Sequence, residues 1–246
     1  MMNLRPFILV IGLTVGGSVC LGADTTGPAP SLPASAQTLP ASAATLSDPD
    51  PVMELESALR RAAPTVRPEA LHAALSAWEA LNSRGQVARS LLTVIDYSLP
   101  STAKRLWVFD LATHELLFNE LVAHGRGSGE NMAQFFSNEE GSLMTSLGAF
   151  VTGTTYNGKN GYSLKLHGID AGLNDQAESR TIVMHGAPYV SETFAHTVGR
   201  LGRSHGCPAV RTEIAHDLID RIKEQTLLYA WHPSMQTVAV ATNQAP

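Results

Sequence analysis

His185-Gly186-Ala187 opens, and Arg203-Ser204-His205-Gly206-Cys207-Pro208 closes, the stretch on which the reading of this chain turns. It places one thiol and several imidazoles close together, with glycine and proline around the thiol. A cysteine nucleophile needs a base for its proton, backbone donors for an oxyanion, and a chain that exposes the sulfur. A free thiol titrates near ~8.5 and therefore needs help to react at neutral pH. His185 follows the apolar run Ile182-Val183-Met184, so a buried strand is expected to deliver it as base at its tip. Gly206 permits close backbone approach, and the amides of Gly206 and Cys207 are the expected oxyanion donors. Pro208 biases Cys207 towards extended backbone, ahead of any following helix.

Outward from that stretch, the 246 residues carry a formal charge of −5 and are 44% hydrophobic, enough for one sizeable core. No basic stripe supports nucleic-acid binding, and no glycine-rich phosphate loop supports a nucleotide. Residues 1–23 read as a secretory signal peptide: Arg5, then the apolar run Phe7 to Val19, then Cys20-Leu21-Gly22-Ala23. A retained membrane anchor and a lipoprotein cleavage before Cys20 are the alternatives, the first disfavoured by the short run and the second by the bulk of Val19. Loss of the leader removes Cys20 and leaves Cys207 as the lone cysteine of an exported chain, so no internal disulfide can form. Residues 24–51, rich in Ala, Ser, Thr and Pro, read as a disordered linker that cannot bury enough surface to order itself.

Residues 52–86 read as a helical segment. One helix runs from Pro51 to about Ala63, and a second from Pro68 to Asn82, with Leu71, Leu75, Trp78 and Leu81 at helical spacing and Gly85 as a stop. From residue 87 to 246 the period changes and one catalytic domain is expected. Leu91–Tyr97, Leu106–Asp110 and Leu116–His124 read as strands, the last two joined by a turn at Ala112-Thr113-His114. Gly125–Gly148 reads as irregular loop. Ala149–Thr155, Ser163–His167, Thr181–His185, Leu227–Trp231 and Thr237–Ala241 complete the strands. A helix with Thr212 as N-cap and Ile214, Leu218 and Ile222 on its apolar face extends to about Gln225. The class is α+β and β-rich.

Ser204-His205-Gly206-Cys207 with an upstream histidine resembles the signature of the L,D-transpeptidases of the YkuD type. Five further segments resemble the sub-group called murein L,D-transpeptidase catalytic-domain-like: Leu106–Asp110, Val122–Gly125, Phe136–Asn138, Ser146–Gly148 and Gly202–Ala209. The resemblance covers Leu91 to Trp231. Two departures lie beside the groove: Pro208-Ala209-Val210 stand between the cysteine and Arg211, and the histidine-to-cysteine interval is longer than usual in the family.

The resemblance implies the family's mixed, sheet-rich fold. It also implies a cysteine thioester on the peptide stems of peptidoglycan at the diaminopimelate–D-alanine bond, with no metal and no organic cofactor. Onto this sequence it carries Cys207 as nucleophile, His185 as general base, and His205 and Gly206 in the catalytic loop. Ser204, Arg203, Gly186, Tyr189 and His167 are the expected substrate-binding residues. Arg180 and Arg200 read individually as surface residues, and His124 as structural support. The expected location is across the inner membrane, in the periplasm or cell wall, and the oligomeric state is open. Two alternatives stand beside a transferase: a carboxypeptidase or endopeptidase on the same scaffold, and a wall-binding module with zinc on His185, His196, His205 and Cys207.

Overall fold

The structure is a computed structural model and describes residues 51–235. The expected leader, the linker except Pro51, and the strand at Thr237–Ala241 lie outside the described residues.

Two helices come first. Helix α1 (Pro51–Ala62) and α2 (Pro68–Ser83) both open on proline, whose missing N–H costs nothing in a first turn. The face of α2 bearing Leu71, Leu75 and Leu81 is buried, as its spacing predicts, together with Ala70 and Ala74. It packs with Leu92, Val94, Trp107, Phe109 and Leu227 of the sheet in one shared core.

The strands are β1 (Leu91–Asp96), β2 (Leu106–Asp110), β3 (Glu115–Glu120), β4 (Val122–Ala123), β5 (Gly148–Gly158), β6 (Gly161–Gly168), β7 (Val183–Gly186), β8 (Ala209–Val210) and β9 (Leu227–Trp231). Helix α3 (Glu192–Val198) lies between β7 and β8, and α4 (Thr212–Ile222) between β8 and β9. All nine strands form one sheet in the order β3-β2-β1-β9-β5-β6-β7-β8-β4. Pairing is parallel at β1–β9 and β7–β8 and antiparallel elsewhere. The β-rich α+β class expected from the sequence is the class observed.

The single strand expected over Leu116–His124 is instead two. Strands β3 and β4 stand at opposite ends of the sheet order, yet only Leu121 separates them in the chain. One residue spans no more than ~3.5 Å of chain, so the sheet must curl until its two ends meet there. Arginines from both sides close this seam. Arg105, fully buried, donates from Nε and Nη2 to the Val122 carbonyl at 3.1 and 2.9 Å and from Nη1 to the Leu99 carbonyl at 2.7 Å. Arg211, just past β8, grips the Glu120 carboxylate at the end of β3 with two hydrogen bonds of 2.8 and 2.7 Å.

Helix α4 buries Ala215, Leu218, Ile219 and Ile222 against the main core. Its expected ends need correction. Arg211 is the N-cap residue and Thr212 the first helical one; the helix stops at Ile222, short of Gln225. Glu224 and Gln225 adopt φ of 63° and 58°, and their amides turn to the Gly153 and Thr152 carbonyls of β5, which breaks the helical ladder. Helix α3 was not expected. Its signals were present: the Ser191 hydroxyl caps the Phe194 amide at 3.1 Å, and Gly199 ends it at a φ of 79°. Strand β8 was also missed, since two residues carry no periodicity.

Candidate active site

Strand β7 carries His185 as its third residue, so the strand runs one residue past the expected tip. His185 pairs in register with Ala209 of β8, and Cys207 precedes Ala209 by one intervening proline. This parallel pairing brings the imidazole and the thiol to the same cavity, which has a volume of about 380 Å³. The cavity is lined by Cys207, His185, His205, Ser204, Arg203 and Tyr189, all singled out from the sequence, and also by Arg180, Thr181, Lys159 and Asn160.

The cysteine loop is held from three sides. The Ser204 amide donates to the His124 carbonyl at 3.0 Å, and the Arg126 amide donates back to the Ser204 carbonyl at 2.9 Å. The Ser204 hydroxyl donates to the Cys207 carbonyl at 2.6 Å and accepts from the Gly206 amide at 3.1 Å. Gly206 has a φ of 127°, and a Cβ there would stand 2.8 Å from the Met144 carbonyl and 3.0 Å from Ile182 Cδ1. Only glycine fits that position. Of the two amides expected as oxyanion donors, that of Gly206 donates to the Ser204 hydroxyl. Ser204 itself is a loop brace, with both its roles spent within the turn.

Cys207 is 9% exposed, and its Sγ donates to the Thr181 carbonyl at 3.8 Å. Burial pushes the thiol above its ordinary value, while the Val183 amide and the Arg180 charge pull it back. Thr181 presents that carbonyl from a left-handed backbone with φ 54°, a strained conformation for a β-branched residue, worth roughly 1–3 kcal/mol. His185 is buried, and its Nδ1 lies 2.9 Å from the Gly186 carbonyl. A carbonyl only accepts, so Nδ1 carries the hydrogen and Nε2 keeps the lone pair of a base. Burial holds the imidazole below its ordinary pKa. Burial thus favours the neutral form of both the thiol and the imidazole.

The remaining expected residues separate. His205 is exposed on the cavity wall. Arg203 lines the cavity, but Nη1 is taken by the Glu130 carboxylate at 2.6 Å and the Gly129 carbonyl at 2.9 Å. Tyr189 packs on the backbone of Gly202, and burial pushes its phenol up to about 12. Gly186 faces α4, where a Cβ would meet Ala215 at 2.9 Å, and contributes its carbonyl to His185. His167 is not in this cavity. It lines an adjoining one of about 320 Å³ that shares Thr181 and pairs there with Glu178 at 3.4 Å.

Arg180, read from sequence as a surface residue, is half-buried inside the site. His124 is structural as expected. Arginine only donates, so the 2.8 Å contact from Arg105 Nη2 makes His124 Nδ1 the acceptor and leaves Nε2–H for the Gly129 carbonyl at 3.4 Å. Among the described residues, no group of three or more His, Cys, Asp or Glu side chains is placed to hold a metal ion, so the zinc set is not assembled.

The family model of the L,D-transpeptidase catalytic domain matches residues 62–231, well over half of the sequence. The chain belongs to the L,D-transpeptidase catalytic domain family. The family match begins at the end of α1 and takes in α2, consistent with the core that α2 shares with the sheet. No curated protein matches the chain. Solved structures similar to it include an L,D-transpeptidase from Mycobacterium smegmatis, at 14% identity and a TM-score of 0.35, covering 58% of this chain and 59% of that one. L,D-transpeptidase 3 from Mycobacterium tuberculosis shows 11% identity and a TM-score of 0.34, with coverage of 59% and 62%. An Enterococcus faecium L,D-transpeptidase shows 10% identity and a TM-score of 0.33, with coverage of 59% and 50%. The chain thus spans about half to three-fifths of the length of these structures.

Proposed function

We propose that this L,D-transpeptidase family member acts outside the inner membrane on peptidoglycan stem peptides, through a thioester on Cys207. The observation that carries the reading is the shared cavity of Cys207 and His185, with the imidazole lone pair left free by the Nδ1–H···Gly186 hydrogen bond. Nε2 of His185 takes the thiol proton as Sγ attacks the carbonyl carbon of the diaminopimelate centre. The tetrahedral intermediate collapses, the C–N bond breaks, and His185 returns the proton to the departing D-alanine amine. A thioester remains. The amine of a second stem then attacks it, loses its proton to His185, and displaces Cys207 as the thiol, leaving an amide crosslink.

Because burial favours the neutral forms of thiol and imidazole, proton removal accompanies attack. That is general-base catalysis and needs no standing ion pair. The expected signal peptide supports an address in the periplasm or cell wall, where this substrate lies.

Intact-mass spectrometry after incubation with a carbapenem tests the nucleophile. The wild type should gain one drug mass and Cys207→Ala none; an equal adduct on both would refute the assignment. Product analysis on isolated stems then decides the acceptor. New crosslinks support the transferase, whereas shortened stems alone would replace it with a carboxypeptidase on the same acyl-enzyme.

A further inference from the structure

The Gly206 amide is engaged by Ser204, so the loop has lost one donor for the charge that builds during attack. Arg180 lies where that loss can be made good. It lines the cavity with Cys207, and its Nη2 stands 3.3 Å from the point a Cβ of Gly206 would occupy. Nη1 donates to the Ser137 carbonyl and the Ser146 hydroxyl, and Nη2 donates to the Ser142 hydroxyl at 3.2 Å and the Met144 carbonyl at 2.7 Å. All four partners are neutral, and among the described residues no carboxylate pairs with Arg180. The guanidinium is immobilised but not neutralised. The strained Thr181 next to it fixes the turn from which both the charge and the thiol's carbonyl partner are presented.

The other groups facing Cys207 do not duplicate this charge. Tyr97 and Tyr189 are pushed up by burial and stay neutral. His185 is held low by burial. Arg203 is paired with Glu130, while Lys159 and His205 are exposed rim residues.

We infer that Arg180 is a positioning residue: it fixes a permanent positive charge beside Cys207, and this charge takes over from the Gly206 amide in balancing the negative charge that develops at the site. Its Nη hydrogens are committed to the Ser137–Ser146 loop, so it acts through its field. The inference rests on Cys207 being the nucleophile.

The test is the rate of alkylation of Cys207 by iodoacetamide against pH in the full chain, with the modified peptide mapped by mass spectrometry. It needs no peptidoglycan. Arg180→Gln removes the charge and retains hydrogen-bonding capacity. Its alkylation midpoint should rise by about one pH unit, with about a tenfold slower rate at neutral pH. Arg180→Lys keeps the charge and should stay within about threefold of wild type. A folded Arg180→Gln with the wild-type midpoint overturns the inference. Should Arg180→Gln fail to fold, Arg180→Lys decides: a midpoint raised by about one pH unit there would mean that bracing of the loop, not charge, is the role. Failure of the wild type to form a carbapenem adduct sinks the proposed function. Equal midpoints with adduct formation intact sink only the role of Arg180.

Discussion

Lowering the pH should destabilise this protein through one buried imidazole in particular. His124 is fully buried against Arg105, and desolvation first, then the Arg105 charge, lowers its pKa from 6.5 to about 4. The Gly129 and Glu130 carbonyls oppose the shift and Arg203 adds to it. The unfolded chain therefore binds a proton near pH 6.5, while the folded one resists until about 4. Stability is intact above 6.5 and is lost as the pH falls through this window. Between pH 7 and 4.5 linkage gives a loss of about 2 kcal/mol from this residue alone. For a domain of this size that is a fall in Tm of roughly 5–8 °C. His124→Gln can accept from Arg105 and donate to Gly129 without titrating. Its Tm should start lower at pH 7, and its deficit against wild type should shrink by that amount at pH 4.5. Calorimetric melts of both proteins across the range give the answer. Parallel Tm–pH curves would refute the placement of a neutral imidazole in the seam.

Gly206→Ala should lower stability by about 1–3 kcal/mol and abolish acylation, because the new Cβ meets the Met144 carbonyl at a φ that disfavours any side chain; a fully active, equally stable variant in denaturant melts would contradict the loop geometry. Ser204→Ala removes two hydrogen bonds of the turn and should lower stability by about 1–3 kcal/mol in denaturant melts and slow acylation by a carbapenem; unchanged stability and rate would contradict the brace. His185→Ala should fold normally and lose about 10²–10⁴ in acylation rate, read by stopped quench and mass spectrometry; wild-type rates would remove His185 as the base. In the wild type the acid limb of that rate should fall below the usual histidine range, because burial depresses His185 and the imidazole must be neutral to accept the proton. An acid limb at or above pH ~6.5 would contradict the burial.

Much of this architecture could be read in advance where periodicity runs long enough. The α2 stripe and the apolar runs of β1, β2, β7 and β9 each state their own structure. Where a segment's state is decided by distant partners, local pattern was silent. Glu115 to Ala123 looks continuous, but the residues on either side of Leu121 answer to opposite ends of the sheet. Ala209-Val210 becomes a strand only because β4 and β7 flank it. In the candidate site, Cys207 and His185 could be singled out because each stands in a recognisable string, and both line the one cavity. Arg180 belongs to no string: a turn ending in a left-handed threonine directs it inwards, and nothing in the spacing says so. The engagement of the Gly206 amide was equally unreadable, since it depends on which way one serine hydroxyl points.

The placing of β9 has a consequence for how the molecule is made. It is the last of the described strands in chain order, yet it stands in the interior of the sheet, between β1 and β5. Until Leu227 to Trp231 have been made, the earlier strands can pair only as two flaps, one of three strands and one of five, joined to each other at the seam between β3 and β4. The cysteine loop belongs to the second flap. An interrupted chain that ends before Leu227 therefore carries all of Arg203 to Pro208 on an unclosed sheet, and a quality-control protease would meet it with the edges of β1 and β5 bare. Only the arrival of β9 closes the sheet between the two flaps, so that strand is itself a condition for a buried Cys207.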